Sequence, residues 1–225
     1  MSEKLQIATI DGPSGVGKST VSRGLADRLG FVYLDTGAMY RAVAYGCREG
    51  GVDVEDEQAV GRFLQDLQIE LLPPGRPDDD VRVFLGGREI SGFIRTPEMG
   101  MLASKVSALP IVRQKLTALQ QGMGRVGKIV AEGRDTGTVV FPQAAWKFYL
   151  DADPEERARR RINQLTLKGE RVDEQEILAQ IIKRDRDDSE RTIAPLKAAE
   201  DAVRIDSSRL SAAEVIERML EIVRC

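Results

Sequence analysis

Eight consecutive residues, Gly12-Pro13-Ser14-Gly15-Val16-Gly17-Lys18-Ser19, have the types and spacing of a phosphate cradle, G-x-x-x-x-G-K-[ST]. Glycines at 12, 15 and 17 let the backbone bend tightly and turn its N–H groups toward phosphate oxygens. Thr20 then leads into a helix whose N-terminal dipole favours anions. Lys18 is placed to reach the terminal phosphates of a nucleoside triphosphate, and the Ser19 hydroxyl to ligate Mg2+. An ordinary Gly-rich turn could carry the same letters, but this one lies between a strand pattern and a helix pattern, as the mechanism requires. The chain has no histidine, which excludes Ser-His-Asp and Cys-His triads and His-based zinc sites. Chemistry must therefore run on Lys, Arg, carboxylates, hydroxyls and a metal ion carried in with substrate.

Arginines recur outside the loop, at Arg41, Arg113, Arg134, Arg157, Arg160, Arg161, Arg184 and Arg191. Guanidinium forks suit phosphate by bidentate geometry, so a second, anionic substrate is expected. Most of these could be solvated helix-surface charges, the plainer fate for Arg48, Arg62 and Arg218. The dense run Arg157-Ala158-Arg159-Arg160-Arg161 is harder to dismiss. A GTPase switch would need Asn-Lys-x-Asp to read guanine, yet the only asparagine is Asn163, followed by Gln164-Leu165. Large motor-type ATPases use the same loop in longer chains.

The elements that must position these residues follow from periodicity. Leu5–Ile10 is a short apolar run predicting a buried strand. Thr20–Leu29 has helical spacing of Val21, Leu25 and Leu29, with Gly30 as its cap. Phe31–Leu34 reads as a second strand and Thr36–Arg48 as a second helix, an order that predicts a parallel sheet with helices on both faces. Ile69–Leu72, Val81–Leu85 and Arg88–Ile90 are separated by Pro73–Asp80 and by Gly86-Gly87, which predicts a small antiparallel insertion. Helices are expected over Pro97–Leu109 and Pro110–Met123, each opened by proline, and over Pro154–Leu167, Glu174–Asp188 and Ala212–Val223. Lys128–Ala131, Trp146–Leu150 and Ala202–Ile205 complete the strands.

At 225 residues the chain is long enough for one α/β domain with an insertion. A net charge of −3 argues against a general nucleic-acid coat, and local arginine clusters remain compatible with a small anionic substrate. Met1–Lys4 is short and polar, without a signal-peptide pattern, and no stretch has the length of a membrane span. Cys47 and Cys225 form no CxxC and read as free thiols of a reducing cytoplasm.

Four downstream blocks carry a more specific resemblance. Asp35-Thr36-Gly37-Ala38-Met39-Tyr40-Arg41, Ile94-Arg95-Thr96-Pro97-Glu98, Glu132-Gly133-Arg134-Asp135-Thr136-Gly137-Thr138-Val139-Val140-Phe141-Pro142, and Arg184-Asp185-Arg186-Asp187-Asp188 through Arg191 to Ala194-Pro195-Leu196 resemble the bacterial type of cytidylate kinase. The similarity runs in order along nearly the whole chain. It implies transfer of the γ-phosphoryl group of ATP to CMP or dCMP on a P-loop nucleoside-monophosphate-kinase fold, with a five-stranded parallel sheet flanked by helices, a small antiparallel insertion and a helical lid. The implied division of this single P-loop kinase domain is a core of residues 1–35, 126–153 and 192–225, a monophosphate-binding region over 36–125, and a lid region over 154–191, centred on Arg157–Arg171.

By the same resemblance Arg41 and Arg134 hold the acceptor phosphate, and Thr36 offers a hydroxyl to the acceptor nucleotide. Ser104, Arg113 and Asp135 match positions that read the cytosine edge. Asp188 and Arg191 lie near sugar and phosphate, and Arg184 near the transferred group. Arg157 and Arg161 are four apart and share a helix face, so both are expected to close over the triphosphate. Glu132 follows a strand and could orient Mg2+ through water, or be a plain strand-end carboxylate. The acceptor is already an oxyanion, so catalysis needs alignment and charge neutralisation and no strong base. CMP or dCMP, ATP and Mg2+ are the expected partners, with no nucleic-acid polymer or membrane. A cytoplasmic monomer is expected.

Overall fold

The structure, a computed structural model, describes residues 5–76, 79–167, 169 and 173–224. The expectations for Met1–Lys4, Cys225, Pro77-Asp78, and Lys168, Glu170 and Arg171 of the lid fall outside the described residues. The chain divides into two compact units, Met1–Tyr33 with Val126–Cys225, and Leu34–Arg125.

In the first unit, strand β1 (Leu5–Asp11) sends alternate side chains to opposite faces. Ala8 and Ile10 face helix α1 (Lys18–Leu29), whose Val21 and Leu25 recur one turn apart on the buried side. Burial of large apolar side chains, each contributing about 1.5–3 kcal/mol, fixes this packing. Phe148 and Leu150 of β7 (Ala144–Asp151), Ile205 of β8 (Val203–Asp206), and Val215, Met219 and Leu220 of α8 (Ala212–Arg224) complete the core. With β2 (Val32–Asp35) and β6 (Ile129–Gly133) the sheet is five-stranded and parallel, in the order β2-β6-β1-β7-β8.

Register places the strand ends side by side. Asp11 of β1 stands opposite Gly133 of β6 and Tyr149 of β7. The segments leaving β1 and β6 therefore emerge at one carboxyl edge, where open α/β sheets bind ligands. Gly12 departs so close to β7 that a Cβ there would lie 2.0 Å from the Leu150 carbonyl oxygen; only glycine fits. Beyond β6 the chain makes a π-helical turn, Thr136–Val140. Helices α6 (Pro154–Leu167) and α7 (Glu174–Ser189) pack against each other.

The second unit contains α2 (Thr36–Glu49), α3 (Glu57–Gln65), α4 (Pro97–Val106) and α5 (Pro110–Gly124). Its antiparallel sheet joins β3 (Ile69–Leu72), β4 (Arg82–Leu85) and β5 (Arg88–Glu89). The hairpin at Gly86-Gly87 has φ of 55° and 78°, the left-handed pair that a tight two-residue loop requires. Met39, Val43, Val60, Val83, Met99 and Leu116 are buried in this unit.

Periodicity did not anticipate two elements. Helix α3 is nucleated by Asp56, whose carboxylate accepts from Gln58 N and Ala59 N at 3.0 Å each, and it buries only Val60 and Leu64. The turn at Thr136–Val140 has a β-rich sequence, Thr-Gly-Thr-Val-Val, and bends because of contacts to β1 described below. Helix α4 ends at Val106 rather than Leu109. Cys47 is buried and free. Among the described residues no helix is long and apolar enough to cross a membrane.

Candidate active site

The phosphate loop joins the end of β1 to the start of α1. Gly15 and Gly17 adopt φ of 79° and 96°, a region that favours glycine. Gly17 stands at the helix N-cap, where no side chain caps α1, and the first turn holds no acidic residue. The orphan N–H groups of that turn are thus left to an external anion.

Lys18 is buried and donates through Nζ to the Pro13 carbonyl at 2.6 Å. Burial, reinforced by Arg134 and Arg184, drives its pKa well below the ordinary lysine value, while Glu132 and Asp11 oppose the shift. These groups therefore share one electrostatic environment with Lys18. Ser19 Oγ donates to Glu132 Oε1 at 2.8 Å, and Glu132 is buried. Glu132 is thus no surface carboxylate.

Arg134 follows directly on β6. Its Nε donates to Asp188 Oδ2 at 2.8 Å and its Nη1 to the Gly133 carbonyl at 3.1 Å. Burial holds this guanidinium below its usual pKa, opposed first by Glu132 and then by Asp11. Asp188 is buried on α7 and is also paired with Arg191. Asp135, next to Arg134 in sequence, is also buried.

Arg157, on α6, is buried and engaged on three sides. It donates to the Ala152 carbonyl at 2.9 Å and the Ser14 carbonyl at 3.2 Å, and pairs with Asp185 at 2.6 Å. Arg161 is half-buried. The two arginines expected to act alike therefore stand in different surroundings, Arg157 against the loop backbone itself. Arg160, which the sequence reading left without a role, donates to the Val16 carbonyl at 3.3 Å and the Ser207 carbonyl at 2.6 Å. Glu156 one turn earlier holds it at 2.8 Å; that i,i+4 pair was the available signal. Asp185 and Asp11 were also missed.

Among the remaining expected residues, Thr36, Arg41, Ser104 and Arg113 lie in the Leu34–Arg125 unit. Asp35 caps α2, accepting from Ala38 N at 2.8 Å, and pairs with Arg95 at 3.3 Å. Thr36 is buried, and Arg41 passes over Gly37. Ser107 bridges Ser104 and Arg113 at the corner between α4 and α5. Ser107 Oγ donates to the Ser104 carbonyl at 2.8 Å, while Arg113 Nη1 donates to the Ser107 carbonyl at 2.9 Å. The Arg113 guanidinium lies 5.6 Å from the Tyr40 ring centroid.

A phosphate loop at the carboxyl edge of a parallel sheet, with a buried lysine and a Ser–Glu pair, defines a P-loop nucleotide-binding protein. A model of the cytidylate kinase family matches residues 8–225, and the chain belongs to that family. It is 47% identical to the cytidylate kinase of Carboxydothermus hydrogenoformans over 95% of each chain. It is 48% identical to that of Methylococcus capsulatus, covering 100% of this chain and 99% of the relative. The solved structure of an uncharacterized protein from Eubacterium ventriosum has the same fold at a TM-score of 0.52 and 11% identity, covering 97% of this chain and 98% of that one.

Proposed function

We propose that this chain transfers the γ-phosphoryl group of ATP to CMP or dCMP, giving ADP and CDP or dCDP. The observation that carries the reading is the uncapped phosphate loop with its buried Lys18, in a chain matched to the cytidylate kinase family over residues 8–225. The α1 N–H groups and Lys18 bind the donor phosphates, with Arg157 and Arg161 on the lid region over 154–191. Arg41 and Arg134 bind the acceptor phosphate. Ser104, Arg113 and Asp135 read cytosine, whose edge carries one donor and two acceptors. Thr36, Asp188 and Arg191 bind the rest of the acceptor, and Arg184 stands by the transferred group.

Ser19 and Glu132 are hard oxygen donors of the kind that Mg2+ takes together with water and phosphate oxygens. The residues present therefore fit the ion, Ser19 binding it directly and Glu132 through water. When bound, the ion neutralises charge developing on the phosphoryl oxygens. The chain's own part is alignment of two anions and suppression of their repulsion. No general base is needed, which agrees with the absence of histidine. A monomer acting in the cytoplasm fits this role.

An ADP-release assay across CMP, dCMP, UMP, AMP, GMP and shikimate tests the acceptor. CMP and dCMP are expected to exceed every other acceptor in kcat/KM by at least tenfold. Equal rates across the panel would remove the cytidylate assignment.

A further inference from the structure

Asp11 is buried at the end of β1, immediately before the phosphate loop. Its carboxylate grips the chain that follows β6. Oδ1 accepts from Thr136 N at 2.9 Å and from Thr136 Oγ1 at 2.8 Å, and Oδ2 accepts from Gly137 N at 2.8 Å. These are N–H groups at the start of the π-helical turn, where Asp135 occupies the N-cap position but makes no side-chain cap bond. A carboxylate from another strand thus does the capping. The approach is close. A Cβ on Gly137 would lie 2.8 Å from Thr9 Oγ1 and 3.4 Å from Asp11 Oδ2.

Arg134 and Asp135 are bracketed by this contact. On one side Gly133 is in register with Asp11 in the sheet; on the other Thr136 is bonded to the Asp11 side chain. One residue thereby fixes both ends of the dipeptide and also begins the loop at Gly12. Its charge favours the cationic forms of Lys18 and Arg134. Burial pushes the Asp11 carboxyl itself up to about 6, against the three hydrogen bonds, which pull it down.

We infer that Asp11 is a positioning residue for acceptor phosphorylation, holding Arg134 and Asp135 in register with the phosphate loop. The inference rests on the proposed acceptor roles of those two residues. Asp11→Asn keeps the shape, removes the charge and turns an amide N–H₂ toward a backbone N–H. Misalignment of about 1 Å costs on the order of 10²-fold in rate.

The test compares the parent, Asp11→Asn and Thr136→Val, which deletes only the hydroxyl bond. kcat and KM for CMP, ATP affinity by calorimetry and Tm are measured for each. Asp11→Asn is expected to lower kcat/KM for CMP about 10²-fold, with kcat reduced and KM raised. ATP affinity should change less than about threefold, because the α1 N–H groups and Lys18 remain, and misalignment falls on the acceptor side. Tm should stay within about 3 °C, since losing the buried charge offsets the lost bonds. Thr136→Val is expected to show the same split, about tenfold in size, for the loss of one hydrogen bond to the carboxylate. The inference is overturned if Asp11→Asn keeps parental kcat/KM, or if ATP affinity falls as far as acceptor turnover, or if only Tm moves. Should Asp11→Asn fail to fold, an unchanged kcat/KM in Thr136→Val overturns it. A parent without CMP activity would instead defeat the functional reading on which the inference rests.

Discussion

Lys18→Ala is expected to lower kcat by about 10²–10³-fold, the usual cost of removing one preorganised electrostatic group, while the protein stays folded. Lys18 holds its ammonium in a buried place against the Pro13 carbonyl, where burial and two arginines oppose its charge. Such a group does little for the empty protein, because an incompletely compensated buried charge costs stability. A triphosphate supplies the missing negative charge, so the lysine's favourable interactions arise on binding and grow as charge shifts in the transition state. Steady-state turnover and thermal unfolding, measured together, check this. Tm should equal or exceed that of the parent. A variant within tenfold of parental kcat would show that Lys18 does not stabilise the reacting phosphates.

Arg134→Ala is expected to lower kcat/KM for CMP by a comparable factor, about 10²–10³, and to leave ATP affinity within a few-fold. Arg134→Lys should recover little, since an ammonium cannot reproduce the fork. Arg134 is bonded to the buried carboxylate of Asp188, so its removal also bears on stability. Deleting one member of an isolated buried pair costs about 3–5 kcal/mol. Asp188 retains Arg191, so the loss should fall below that range and show as a modest drop in Tm. The split between acceptor kinetics and ATP affinity, obtained from initial rates and calorimetry, separates a phosphate ligand from a scaffold residue. Loss of ATP binding equal to the loss of CMP turnover would contradict the assignment.

How much of this was legible depended on where the causal interactions lie along the chain. The loop at Gly12–Ser19 could be read because its glycines, lysine and serine are contiguous and sit between a strand and a helix. Strand Ile69–Leu72 and helix Pro154–Leu167 lie where periodicity placed them, since apolar spacing and an opening proline are local. The turn at Thr136–Val140 was not legible. Its Thr and Val residues favour strand, and what bends them is a carboxylate 125 positions earlier. Asp188 read alone as a member of a charged helix; its burial depends on Arg134, 54 positions away. Arg157 and Arg161 looked equivalent because spacing reports direction on a helix. The carbonyl of Ser14 that receives Arg157 is invisible to spacing. Long-range polar contacts, more than secondary structure, are what sequence pattern fails to convey.

The central claim is that the phosphoryl group leaves ATP for the phosphate of a cytosine nucleotide. Phosphorus NMR of the protein with ATP, Mg2+ and CMP follows that transfer directly. The γ-phosphate signal of ATP should decline in step with the rise of a CDP β-phosphate signal, with inorganic phosphate staying near background. Accumulation of inorganic phosphate with CMP unchanged would contradict it.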